Sequence, residues 1–266
     1  MVRRYLVTGA RGFIGGAVVR RLEAYGEEVI AFEGDLLADD WPRLPDASHC
    51  IHSAWYTNHA DYLTHSVNRD WAAATLRLAR AFAGRFVGLG TCLEYDVARA
   101  GPLREESPLR PDTLYARCKA EVCAELAARD RDVAWARIFF VYGPRDRSGR
   151  LVPDMLERFA RGERAGPTFG GLRRDYIHVD DLAEQIVRIA NSDVRGAINT
   201  GTGQAPTLSE IFAAGAAALG RPELAEANGE TGDQPPLIQA DMDYFQRVIG
   251  EARARDIAAG LRDLAG

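Results

Sequence analysis

A chain of 266 residues that is 47% hydrophobic can bury a substantial core, and it suits one domain of about 200 residues with a smaller appendage rather than two full domains. The formal charge of −5, without a long basic block, argues against nucleic acid or an anionic membrane surface as the main partner. Cys50, Cys92, Cys118 and Cys123 lack close metal-ligand spacing, and no leader or bilayer-length apolar segment accompanies them. Disulfides, a bound metal and a membrane span are therefore not expected, and the cytoplasm is the expected compartment.

The first predicted strand, Tyr5-Leu6-Val7, ends at Thr8, and Gly9, Gly12 and Gly15 follow before an apolar helical stripe through Phe13, Val18, Val19 and Leu22. Strand, tight turn and helix in this order make a dinucleotide-binding unit. Gly9 allows the turn, Gly12 lets backbone N–H groups approach a pyrophosphate, and Gly15 lets the helix pack closely on the strand. Thr8, Arg11, Phe13 and Ile14 border the same cofactor site. The helix closes at Tyr25-Gly26, and residues 29–32 read as a second strand. Glu33-Gly34-Asp35-Leu36 follows at once, which leaves little room for a separate helix and third strand, so a shortened second crossover is expected.

Pro42 and Pro45 bracket a loop before a buried strand at 49–53. A helix over 67–81, a strand over 85–89 and a strand-end loop over 90–95 continue the βαβ rhythm. After a polar excursion at 101–112, a helix spans 114–128, and a strand over 133–141 is closed by Tyr142-Gly143-Pro144. Beyond it come a helix at 151–160 and an irregular stretch at 162–171 with a small strand at Thr168-Phe169. An extended segment at 176–179 then leads into a helix capped by Asp180 or Asp181. A strand at 197–199, a helix at 207–219, a mobile loop or edge segment at 229–236 and a terminal helix at 252–264 complete the reading. The expected fold is α/β, a Rossmann-like parallel sheet flanked by helices. Residues 1–150 mainly hold NAD(P), and residues 151–266 form a small substrate region interwoven with the sheet.

Tyr115 and Lys119 lie four apart on one face of the helix at 114–128. In that arrangement Lys119 holds ribose hydroxyls and favours tyrosinate, while Tyr115 exchanges a proton with a carbonyl or alcohol oxygen as hydride moves to or from nicotinamide. Thr91 falls at the carboxyl end of a strand, where open α/β sheets bind ligands, and its hydroxyl suits the same oxygen. Cys92 beside it lacks a sequence-local base and reads as a buried thiol, not a nucleophile. At the adenosine end, Glu33 would accept ribose hydroxyls and support NAD(H), whereas Arg11 would meet the 2′-phosphate of NADP(H). Asp35 suits either the adenine edge, next to Leu36, or stabilisation of its own turn.

Together these features resemble the extended short-chain dehydrogenase/reductases, in particular the NAD-dependent epimerase/dehydratase branch acting on nucleotide-linked sugars. The resemblance spans nearly the whole chain. It rests on the TGxxGxxG turn at residues 8–15, the Thr91, Tyr115 and Lys119 set, RIFFVYGPR at 137–145 and RDYIHVDD at 174–181. It implies that His52 and Ala54, in an HxA pattern continued by Trp55, lie over the cofactor. It also implies that Arg174 lies near the nucleotide diphosphate, and that the chain forms a homodimer through the helices at 67–81 and 114–128. Two departures bear on the reaction. Dehydratases of the family carry an acidic pair after the threonine, where this chain has Cys92 and Leu93. Phe140 stands where an asparagine commonly contacts substrate, and it joins Thr91, Cys92, Tyr115 and Arg174 on the substrate side. Residues 91–95, Thr-Cys-Leu-Glu-Tyr, are similar to a stretch in 4-ketoreductases of nucleotide-activated deoxysugars. Reduction of the C4 ketone of an NDP-4-keto-6-deoxyhexose is the expected activity. A 4-epimerase is its nearest rival, and a noncatalytic dinucleotide-binding regulatory protein is the alternative from another class.

Overall fold

The structure is a computed structural model that describes residues 2–41, 43–128, 132–146 and 149–265; Pro42 lies outside the described residues. In chain order the elements are β1 (Arg4–Thr8), α1 (Phe13–Ala24), β2 (Glu28–Ala31), β3 (His49–His52), α2 (Asn68–Ala81), β4 (Arg85–Thr91), α3 (Leu114–Ala127), β5 (Val133–Ile138), β6 (Phe140–Tyr142), α4 (Leu151–Ala160), β7 (Arg173–Arg174), β8 (Tyr176–His178), α5 (Val179–Ala190), β9 (Gly196–Thr200), α6 (Leu208–Ala218), β10 (Leu237–Ile238), α7 (Asp243–Ile249) and α8 (Ile257–Ala265). Six strands form a parallel sheet in the order β2-β1-β3-β4-β5-β9.

Alternation along β1 divides the core. Tyr5 and Val7 pack with Val18 and Leu22 of α1 and with Leu182 and Ile186 of α5. Leu6 faces the other way, with Cys50, Phe86 and Trp135 of neighbouring strands and Leu78 and Val122 of α2 and α3. The central strands are buried on both faces, as a parallel sheet between helices requires. A third apolar cluster joins α4, α6 and α8 around Tyr142, Phe159 and Phe212, beside the sheet.

The shortened crossover is present. No helix occurs among the described residues of 32–48, and β2 is left at the sheet edge. Arg77 of α2 pins this segment by donating to the carbonyls of Leu36 at 2.7 Å and Ala38 at 2.6 Å, with its guanidinium 4.1 Å from the Trp41 ring centroid.

Several expected boundaries move. The apolar run at 133–141 is two strands, because the Phe139 N–H still bonds Thr200 of β9 while the Phe140 N–H bonds the carbonyl of Asp175 ahead of β8. Strand β4 runs on through Gly90 and Thr91, and a 3-10 turn Cys92–Glu94 follows it. Thr168 and Phe169 lie in a turn, and the short strand is β7 at Arg173–Arg174. Helix α5 is capped by His178, whose Nδ1 accepts the Asp180 N–H at 3.2 Å. Asp180 and Asp181 instead pair with Arg20 and Arg255. The terminal helix begins at Ile257, not at 252. Arg255 donates both its backbone N–H and its guanidinium to Asp181, which holds that stretch extended after α7.

Candidate active site

The glycine turn is built for close approach. Gly9 has φ +67°, and a Cβ there would stand 2.8 Å from the Ala54 nitrogen; one on Gly15 would stand 2.1 Å from the Gly9 carbonyl oxygen. Helix α1 begins at Phe13 after its N-cap Gly12, which has no side chain to cap it, so no side chain takes up the first-turn N–H groups there. This donor set and its lack of side chains fit a dinucleotide pyrophosphate. Arg11 and Glu33 meet at 2.9 Å across the outer end of the turn, both well exposed. Asp35 Oδ1 accepts the Leu37 N–H at 2.9 Å, so it braces its own turn, and the Leu36 side chain is buried in the core.

Behind the turn, His52 joins three elements. Its Nδ1 lies 2.7 Å from Thr8 Oγ1 and its Nε2 lies 2.8 Å from Thr75 Oγ1. The Thr75 hydroxyl proton goes to the Trp71 carbonyl, so Nε2 carries the ring hydrogen and Nδ1 accepts from Thr8. Burial, and then the Lys119 charge, push its pKa down to about 3, so the ring is neutral. His52 and Thr8 thereby fix the segment that carries Ser53, Ala54 and Trp55; the Ala54 N–H reaches Thr8 Oγ1 at 3.3 Å.

A cavity of about 400 Å³ opens at the carboxyl ends of the strands. Ile14, Thr91, Cys92, Tyr115, Lys119 and Phe140 all line it. Arg174 is buried just outside this wall, its guanidinium 6.0 Å from the Phe140 ring, with Nη1 donating to the Arg173 carbonyl. Lys119 is 4% exposed, donates to the Leu89 carbonyl at 2.6 Å and lies 3.6 Å from the Trp55 ring centroid. Burial pushes its pKa down to about 7, against the pull of Glu94. Burial holds the Tyr115 phenol above its ordinary value, and the Thr91 hydroxyl works in the opposite direction. Burial also lifts the Cys92 thiol to about 12, which suits a wall residue and not a nucleophile.

Sequence reasoning gave no role to several residues at this site. Glu94 is fully buried and accepts the Thr91 N–H at 2.9 Å, the Trp135 indole N–H at 2.9 Å and Arg137 Nε at 2.8 Å. Tyr62 sets its ring 5.3 Å from that of Tyr115, and Asp146, Arg150 and Tyr176 complete the opposite wall. Asp175 accepts from the Thr202 N–H and hydroxyl at 2.9 and 2.7 Å, Gly203 N–H at 3.0 Å and Ala240 N–H at 3.2 Å, tying the start of β8 to the segments that follow β9 and β10. The aromatic residues Trp55, Tyr56 and Tyr62, just past a buried strand, are a sequence signal that could have found Tyr62; the Glu94–Arg137 pairing crosses strands and has none. Among the described residues, no group of three or more His, Cys, Asp or Glu is placed to hold a metal, and no helix is long and apolar enough to cross a membrane.

A Rossmann-like sheet with threonine, tyrosine and lysine gathered at its carboxyl edge defines a class of dinucleotide-dependent oxidoreductases. The profile of the NAD dependent epimerase/dehydratase family matches residues 5–201. The chain belongs to that family, the extended short-chain dehydrogenase/reductases acting on nucleotide-linked sugars. It is similar to a dTDP-4-dehydro-6-deoxy-D-allose reductase of a Streptomyces species, at 26% identity over 99% of this chain and 95% of that protein. It is also similar to a UDP-glucose 4-epimerase of Mycolicibacterium smegmatis, at 29% identity over 96% of this chain and 92% of the other. The solved structure of TunA, an NAD dependent NDP-hexosamine 5,6-dehydratase of tunicamycin biosynthesis, superposes with a TM-score of 0.78 at 28% identity and covers 98% of this chain and 95% of its own.

Proposed function

We propose that the protein reduces the C4 ketone of an NDP-4-keto-6-deoxyhexose with NADH or NADPH. The observation that carries this reading is the convergence of Thr91, Tyr115 and Lys119 on one cavity whose wall at positions 92 and 93 is a thiol and a leucine. A dehydratase needs an acid and base beside the carbon that loses water, and Cys92 and Leu93 supply neither. The near full-length similarity to a 4-keto-6-deoxysugar reductase points the same way.

In this reading the bound nicotinamide supplies a hydride. Gly9, Gly12 and Gly15, with Thr8, Phe13, Ile14 and the His52–Ala54 segment, hold the dinucleotide, and Lys119 holds a ribose hydroxyl. Glu33 accepts adenosine hydroxyls when it leaves Arg11, and Arg11 donates to a 2′-phosphate when it leaves Glu33; the backbone of the turn at Asp35 and Leu36 borders the adenine. Thr91 donates a hydrogen bond to the C4 oxygen, which gains negative charge as C4 gains the hydride. Tyr115 gives that oxygen its proton, and the Lys119 charge stabilises the tyrosinate that remains. Phe140 and Cys92 pack against the sugar, and Arg174 meets the diphosphate. The proposal includes a homodimer through the outer faces of α2 and α3.

The experiment supplies NDP-4-keto-6-deoxyhexoses with each reduced cofactor. Consumption of one cofactor per sugar reduced supports the reductase. The epimerase, favoured by the similarity to the UDP-glucose 4-epimerase, would interconvert sugars with no net cofactor consumption. Dinucleotide binding without turnover of any nucleotide sugar would leave the regulatory reading.

A further inference from the structure

Lys119 is the single lysine in the 266-residue chain, whose basic residues are otherwise arginine. Its ammonium has three N–H directions. One goes to the Leu89 carbonyl at 2.6 Å. A second is covered by the face of Trp55, whose centroid is 3.6 Å from Nζ, well inside the range of a cation–π contact. That indole is not free to turn. Its Nε1–H donates to Asn68 Oδ1 at 2.8 Å, and Asn68, itself fully buried, donates from Nδ2 to the carbonyls of Tyr62 at 2.7 Å and His65 at 2.8 Å. The next residue of the same loop, Leu63, accepts the Tyr115 backbone N–H at 3.0 Å. One buried asparagine thus fixes both the plate under the lysine and the loop against the tyrosine.

We propose that Trp55 is a positioning residue for Lys119, keeping the buried ammonium charged and leaving one donor direction open to the cavity for a cofactor ribose hydroxyl. The ribose part rests on the dinucleotide reading above; the indole–ammonium contact does not. Around the ammonium, Glu94 from the 3-10 turn favours the charge, the Cys118 thiol of α3, which burial keeps protonated, and neutral His52 of β3 lie nearby, and the Tyr115 ring is 5.8 Å away. Leu89 offers only a carbonyl and the Trp135 ring centroid stands 5.6 Å away, so the Trp55 indole, at 3.6 Å, is the aromatic face nearest the charge.

The test uses protein labelled with [13Cε]lysine, which gives one lysine side-chain signal to follow across pH. Wild type should titrate near 7. Trp55→Leu, which keeps an apolar wall but removes the π-face, should lower that midpoint by about one unit, and Trp55→Phe should lower it by less. Calorimetry with NADH should show binding to Trp55→Leu weakened several-fold above its midpoint and recovering in more acid buffer. Variants that titrate like wild type, or that rise toward the ordinary lysine value, overturn the proposal, the second because it would show that the indole only excludes water. If the midpoints shift as expected but NADH does not bind the unaltered protein, the indole–ammonium contact stands and the ribose part falls.

Discussion

At the scale of single residues, the site sets a buried cation beside a phenol that burial holds in its neutral form. Tyr115→Phe removes the exchangeable proton and little else, so turnover of the keto-sugar should fall by roughly 10²–10⁴-fold. NADH binding, measured separately by calorimetry, should be nearly unchanged, and undiminished turnover would remove Tyr115 from the proton path. Glu94 works from behind the site. Its carboxylate orders the Thr91 backbone and pairs with Arg137, which is 3% exposed. Glu94→Ala leaves that guanidinium buried without its partner, at a cost of about 3–5 kcal/mol read from urea denaturation; an unshifted midpoint would show that water replaces the carboxylate. The Tyr115–Lys119 pair was legible because helical spacing puts both on one face. Glu94 was not, because its partners Trp135 and Arg137 lie 41 and 43 residues away in sequence.

Among elements, β4 and β5 set the geometry of the site floor. The Trp135 indole lies across β4, and only glycines at 88 and 90 leave room for it: a Cβ on Gly90 would stand 2.2 Å from Trp135 Nε1 and 2.5 Å from Glu94 Oε1. Gly90→Ala should therefore destabilise by about 1–3 kcal/mol and reduce turnover through the displaced Thr91. A variant with wild-type Tm and activity would mean that the indole can shift at no cost. The major helices and strands followed from periodicity, since an amphipathic stripe and a buried apolar run each have one stable placement. The division at Phe139 did not, because WARIFFVY is equally apolar on either side, and only hydrogen-bond partners from distant strands decide where the chain changes sheets. The start of α8 was hidden for the same kind of reason, a long-range bond from Arg255 to Asp181.

For the whole molecule, the abbreviated segment after β2 was visible in the sequence as missing length, whereas its attachment through Arg77 was not. Burial of neutral His52 adds a pH dependence. Its pKa is near 3 in the fold and near 6.5 unfolded. The unfolded chain thus binds an extra proton below about pH 6.5, so this contribution is complete above that pH and is lost as pH falls toward 3. Between pH 7 and 5 the loss should be about 2 kcal/mol, seen as a lower urea midpoint, and His52→Gln should flatten that part of the profile; an equal slope in both proteins would place the acid sensitivity elsewhere. The proposed reduction turns on the fate of a hydride, followed by incubating an NDP-4-keto-6-deoxyhexose with NADH or NADPH dideuterated at nicotinamide C4 and reading the sugar product by NMR. A reductase leaves deuterium bound at C4 of the sugar with one cofactor oxidised per product; a converted sugar without deuterium at C4 and without net oxidation of cofactor would rule the C4 reduction out.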